Sequence, residues 1–365
     1  MTAAPPPPPP PDDAIAFAEQ VLTLLRQGAF TSTYKYAVLL GLIELAIEGV
    51  SASGAPPTMV TTHQLAEVVV RLYWPQVAPF ADAAGGVLRQ NTRGQAEIVT
   101  LVAAARAELG GVTIARAARE APARYARLVR DVEWKLVQMP LPRLQTFGRH
   151  EARFIYDIAW TADITRAEFE RGDRFANAID LRPGVGAHLV RLDGLLRPLL
   201  HREWALQVAA INRLPVATLD AHLFGVDRVA LRPVLAGLRA LQDDRCFYCD
   251  QRLRAPEVDH FLPWARVALD AIENLVVADP RCNGSKRDHL AAPPHLDRWR
   301  QRLRRDRAAL VEVADAARWE SSPARALGVA RGLYLGVRDG ARVWSAEAGL
   351  IEVADAGALR ALLAA

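Results

Sequence analysis

Along the first two thirds of the chain, apolar residues recur at helical spacing and are interrupted by Gly, Pro and short polar clusters. "DDAIAFAEQVLTLLRQG" begins at Asp12 and stops at Gly28. "TSTYKYAVLLGLIELAIEG" repeats that logic, with Ser/Thr caps and a stop at Gly49. Ser51 to Thr58 reads as a loop, and "THQLAEVVVRLYWPQVAPF" as helix up to Pro75. "GQAEIVTLVAAARAEL" and "TIARAAREAPARYARLVRDVEWKLVQ" are helical in period, before Pro140 and Pro142 break the chain. From Arg153 to Val185 the pattern weakens: "RFIYDI" suggests a strand and "LRPGVG" a turn. Helix returns in "GAHLVRLDGLLRPLLHREWALQVAAIN" and "VDRVALRPVLAGLRALQ".

Further on, "HLDRWRQRLRRDRAALVEVADAARW" reads as one basic helix. "GLYLGVRDGARVW" reads as two short strands around Asp339-Gly340, and "ADAGALRALLA" as a last helix. Pro5 to Pro11 forms a solvated polyproline run. The expected organisation is a disordered Pro-rich tail at 1–12, a mostly helical domain at 13–230 and a small module at 231–295. A basic helix, hairpin and terminal helix follow at 296–365.

Slightly more than half of the residues are hydrophobic and 24% are charged, the composition of a chain with a packed core. A formal charge of +4 names no partner by itself. Arg far outnumbers Lys, which stands only at Lys35, Lys135 and Lys286. Three cysteines are too few for a disulfide framework, so a reduced compartment and a metal are expected. The start has neither a basic nor an apolar leader, and "YAVLLGLIELAI" is too short to span a bilayer. A cytoplasmic protein without a membrane partner is the expectation.

All three cysteines fall within "CFYCDQRLRAPEVDHFLPWARVALDAIENLVVADPRCNGSKRDHL", from Cys246 to Leu290. Cys246 and Cys249 form a CxxC pair, which suits a tetrahedral metal, and Cys282 supplies a third thiol. Asp279 is the candidate for the fourth ligand, with Asp250, Ser285 and His289 as rivals. An oxidoreductase is the alternative for CxxC, but the βαβ context is missing. Val258 and Phe261 suit a short half-buried strand, on which Asp259 and His260 point to opposite sides. His260, beside a carboxylate, is a candidate general base. Asn274 precedes a strand-like run, Leu275 to Ala278. Asn283 offers an oxygen suited to a hard cation, with Lys286 one helical turn on.

"CFYC", "DHFLP", "ENL", "DPRCN" and "SK", in this order and spacing, resemble the HNH endonucleases, a family of ββα-metal nucleases. The resemblance covers about an eighth of the chain, Arg245 to Leu290. It implies His260 as the base that activates water and Asn274 as the residue that shapes the loop and orients it. Asp259 and Asn283 would hold a catalytic Mg²⁺ or Mn²⁺. Cys246, Cys249, Asp279 and Cys282 would hold a structural Zn²⁺. The chain departs from the family pattern at Asp279, where a cysteine is usual, and at Asn283, where many members have histidine. Lys286, Arg287, Arg298, Arg302 and Arg305 are candidates for nucleic-acid contact, with support of the fold as the alternative for Lys286. Trp264 and Trp299 flank the module as packing residues or stacking platforms.

The expected fold is therefore mainly α, with a small zinc-stabilised ββα-metal module near the C-terminus, α+β overall. The expected function is metal-dependent endonuclease cleavage of DNA, with RNA left open as substrate and restriction or phage defence as a setting. A homodimer would give double-strand breaks, and the helical domain could instead bind a partner protein. The competing reading is a zinc-stabilised module that binds nucleic acid or protein without cutting.

Overall fold

The computed structural model describes residues 14–27, 31–80, 86–147, 150–171, 175–224, 231–353 and 355–364. The expected Pro-rich tail lies outside them. The chain divides into two compact units, Met1–Ala46 with Pro57–Asp227, and Ile47–Pro56 with Arg228–Ala365. Helices dominate both units, and the sheets are small and antiparallel, so the fold is mainly helical and α+β.

The first unit opens with α1 (Ala14–Gln27) and α2 (Tyr34–Glu48). The apolar run of α2 is unbroken because the helix is buried on nearly every face. β1 (Met59–Thr61) runs directly into α3 (Thr62–Gln76), where Thr61 and Gln64 cap each other reciprocally. Pro75 lies in the last turn of α3, so the helix runs on to Gln76. α4 (Glu97–Glu108), α5 (Ile114–Glu120), α6 (Pro122–Gln138) and α7 (Pro140–Arg143) follow. The chain then forms a minimal hairpin of β2 (Thr146–Phe147) and β3 (His150–Glu151).

The stretch that was hardest to read holds β4 (Tyr156–Ile158), α8 (Arg166–Glu170) and β5 (Ala178–Leu181). β1, β5 and β4 pair in that order, all antiparallel. Strands this short give an alternating pattern too little length to register. α9 (Val185–Asn212) and α10 (Asp220–Leu223) complete the described part of this unit.

The second unit begins with α11 (Arg232–Leu241) and the hairpin of β6 (Glu257–His260) and β7 (Leu275–Ala278), followed by α12 (Pro280–Lys286). α13 (Pro293–Arg305) and α14 (Arg307–Ala317) replace the single basic helix expected, the chain breaking at Asp306. α15 (Pro323–Leu335) contains the "GLYL" segment that was expected to be a strand. Ala326, Val329, Ala330 and Tyr334 are buried at helical spacing there, so packing extends the helix. The hairpin lies further on, as β8 (Arg342–Ser345) and β9 (Gly349–Glu352), and Asp339-Gly340 instead links α15 to β8. Gly340 supplies a positive φ of 77° at that corner. α16 (Ala356–Ala364) ends the described chain. No helix among the described residues is long and apolar enough to cross a membrane.

Candidate active site and metal centre

The register of β6 on β7 pairs Asp259 with Val276 and His260 with Leu275. Every residue of β7 is buried. A two-stranded sheet leaves an edge of unpaired backbone, and here Gln242 closes part of it. Its side chain accepts from Val277 N–H and donates to Val277 O, both at 2.8 Å. α12 then starts at once, because the Asp279 side chain accepts the Arg281 N–H at 3.0 Å and Pro280 fits the first turn. Arg287, at φ 50°, ends it. The result is a strand–strand–helix unit.

Cys246, Cys249 and Cys282 bring their sulfur atoms within 4.8 Å of one another. Around a tetrahedral ion with Zn–S bonds of about 2.3 Å, sulfur atoms stand about 3.8 Å apart, so this trio is sized to hold a metal ion. Cys246 and Cys282 are buried and Cys249 is partly so. Burial, then the neighbouring Cys246 and Cys249, push the Cys282 thiol well up. A cation among the sulfurs would reverse that.

Asp279 does not join the trio. Its carboxylate is turned to cap α12, and only its backbone N–H meets the centre, 3.3 Å from Cys246 Sγ. The rivals are no nearer to serving: Asp250 and His289 are outside the group, and Ser285 Oγ accepts from Trp344 Nε1–H at 3.0 Å. Among the described residues, the group that could hold a metal ion is therefore three cysteines, all offering sulfur.

Residues 246–292 match the family model of the HNH endonucleases. The N-terminal region matches no family model. No curated protein and no solved structure matches the chain. The match covers the sulfur trio, both strands and α12, so a nuclease of the HNH type is supported for this segment.

Within the HNH segment, His260 and Asp259 face different partners. His260 Nε2 lies 2.7 Å from Asp270 Oδ1, and the imidazole is 17% exposed. Asp259 is buried toward α12, where Oδ2 accepts from the Tyr248 hydroxyl at 2.5 Å and pairs with Lys286 Nζ at 3.0 Å. Burial, reinforced by the Asp259 charge, holds the Tyr248 phenol well above its ordinary pKa, so it stays a donor. Lys286 also donates to His260 O at 2.7 Å. Its side chain is fully buried, and that burial lowers its pKa. Of the two roles expected of Lys286, phosphate contact or support of the fold, these contacts fit the second: it ties α12 to the end of β6.

Asn274 is buried and every polar atom of its amide is used. Oδ1 accepts from Leu262 N–H at 2.7 Å, and Nδ2 donates to Leu262 O and Leu269 O at 3.0 and 2.9 Å. It closes the loop between the strands and does not touch the imidazole directly. Asn283 donates to Glu257 Oε2 at 2.8 Å. Glu257 and Asp259 lie two apart on β6 and so share a face, which turns two carboxylates toward α12, where Asn283 and Lys286 meet them. Alternation along "EVDH" carried a signal for Glu257. Asp270 and Tyr248 carried none, since they meet the site only through the fold.

The basic residues divide. Arg302 is buried and donates to the carbonyls of Leu275 and Glu273 at 2.8 and 3.0 Å. Burial pushes its pKa down to about 10. Arg298 donates to Phe247 O at 2.7 Å, beside the CxxC turn. Arg302 braces the hairpin and is not free to meet a phosphate as expected, whereas Arg298 is exposed and engages the CxxC turn through one nitrogen of its guanidinium. Arg287 and Arg305 are exposed, with Arg305 held in a two-point pair by Asp306 at 2.8 Å. Trp299 packs rather than stacks on a ligand: it is buried, parallel to Phe261 at 5.0 Å, and its indole N–H donates to Glu273 O.

Proposed function

We propose that this protein is a metal-dependent endonuclease that hydrolyses DNA phosphodiester bonds at the HNH segment, with His260 as general base. The observation that carries the reading is the partly exposed imidazole of His260, carboxylate-bound on one edge, inside a segment that matches HNH endonucleases. His260 takes a proton from water. The water oxygen bonds to phosphorus as one ester P–O bond breaks, and the leaving oxygen takes a proton from solvent. Asp259 Oδ1 and Asn283 Oδ1 are the oxygens left over by the bonds to Tyr248, Lys286 and Glu257, and a hard divalent cation suits them. Such a cation, Mg²⁺ or Mn²⁺, supplies charge stabilisation at the scissile phosphate. Zn²⁺ at the sulfur trio is structural, stabilising a module with little core of its own. Arg287 and Arg305 contribute to backbone contact with the polyanion. The helical first unit serves target recognition, dimerisation or partner binding.

A second reading, a zinc-stabilised module that binds without cutting, draws on one observation. Lys286 already neutralises Asp259 from a fully buried position, which weakens that carboxylate as a cation ligand. Supercoiled plasmid incubated with the protein and Mg²⁺ or Mn²⁺, with EDTA, and with His260→Ala separates the two. The nuclease reading expects nicked or linear product that needs the metal and drops on the order of 10²–10⁴-fold in His260→Ala. Wild type and His260→Ala equally inert on plasmid, single strands and RNA would favour the binding module.

A further inference from the structure

We propose that Asp270 is a positioning residue that holds His260 as the Nε2–H tautomer, leaving Nδ1 as the nitrogen that accepts the proton from water. This rests on the nuclease reading above. Asp270 Oδ1 stands 2.7 Å from His260 Nε2. A carboxylate only accepts, so the imidazole donates there, and a neutral ring with its proton on Nε2 has its lone pair on Nδ1. The same bond fixes the plane of the ring.

Asp270 can do this because its own place is fixed from both sides. Trp319 Nε1–H donates to Asp270 O at 2.5 Å. Two residues on, Ile272 N–H donates to Glu320 O at 2.9 Å. One residue before, Leu269 O accepts from the Asn274 amide at 2.9 Å. The loop is thus tied to the hairpin through Asn274 and to the segment after α14 through Trp319 and Glu320. Asn274 acts on His260 at second hand: it shapes the loop that carries Asp270, and Asp270 touches the ring. A general base with its proton on the wrong nitrogen cannot take one at the required position. In the serine-protease triad the orienting aspartate does this work, and its replacement by asparagine favours the wrong tautomer.

The test uses full-length protein labelled with ¹⁵N at histidine, read by long-range proton–nitrogen correlation at mildly alkaline pH. The His260 signal is identified by its loss in His260→Gln. Wild type is expected to show His260 protonated at Nε2 and bare at Nδ1. Asp270→Asn keeps the volume and the Trp319 bond, but its amide can present N–H to the ring. His260 should then shift toward Nδ1–H, and kcat on plasmid should fall on the order of 10²–10⁴-fold with KM unchanged. Asp270→Glu, which restores a carboxylate, should recover part of kcat.

A wild-type His260 protonated at Nδ1 overturns the proposal, whatever the variants do. So does an Asp270→Asn protein that keeps the wild-type signature and kcat. A wild type that cleaves nothing while its tautomer switches in Asp270→Asn would sink the nuclease reading and leave the hold of Asp270 on the ring standing.

Discussion

Lys286 places an ammonium where no water can reach it, 3.0 Å from Asp259 Oδ2 and 2.7 Å from His260 O. Both ions of this pair lose hydration, and the Tyr248 hydroxyl on the same oxygen helps to offset it. Removing one partner leaves the other buried and uncompensated. Lys286→Met is therefore expected to destabilise the second unit by about 3–5 kcal/mol, read as a lower urea midpoint at unchanged slope. Adding Asp259→Asn should recover much of that loss. A single variant within about 0.5 kcal/mol of wild type would show that the pair is not a buried one in solution. The side chains of Asp259, His260, Asn274, Asn283 and the cysteines were legible as candidates because they lie close in sequence at set spacings. Their partners were not: Tyr248 and Asp270 stand in the same stretch but at no motif position, and only the folding of the chain turns them onto Asp259 and His260. Arg302 was misjudged although its place was readable. It shares the stripe of His295, Leu296, Trp299 and Leu303, the buried face of α13.

Elements this short do not stand alone. β6 and β7 have four residues each and α12 has seven, too few to bury a core by themselves. Besides Gln242 and Lys286, Arg302 on the carbonyls of Leu275 and Glu273 and the neighbouring β8 hold them, and a metal ion at the sulfur trio would add to these. On β8, Trp344 N–H donates to Leu290 O, and Ala292 N–H donates to Trp344 O, at 2.8 and 2.7 Å. If a cation at the trio carries its share, chelation should lower the unfolding temperature of the second unit by at least about 5 °C, and one zinc per chain should appear by elemental analysis. Cys282→Ser should lose both the metal and the chelator response. A metal-free protein that melts unchanged with chelator would show that Arg302 and β8 suffice. The helices were legible from their period. The position of the last hairpin was not, because "GLYL" suits strand and helix alike, and only the burial of Val329, Ala330 and Tyr334 decides it.

In each unit of the molecule burial also lowers the pKa of a histidine. His201, on α9 of the first unit, stacks on Phe224 at 4.1 Å, and burial, then the Arg197 charge, lowers its pKa to about 4. His295, on α13 of the second, accepts the Ala346 N–H at Nε2, and burial, then Arg298, lowers it likewise to about 4. An unfolded imidazole takes its proton near 6.5. As pH falls from 6.5 toward 4, the unfolded chain therefore binds protons that the folded chain refuses. The stability that both groups contribute is complete above about pH 6.5 and is lost across that window. Both units should accordingly weaken between pH 7 and pH 4, by about 1–2 kcal/mol for each histidine once solvent screening is allowed for. His201→Phe keeps the stack on Phe224, and His295→Gln keeps an acceptor for Ala346. Urea midpoints of the double variant should then fall less steeply over the same range than those of wild type. Parallel pH profiles for the two proteins would mean that these rings take up protons as readily in the native state as in the unfolded chain, and that the acid sensitivity of the molecule lies with its carboxylates instead.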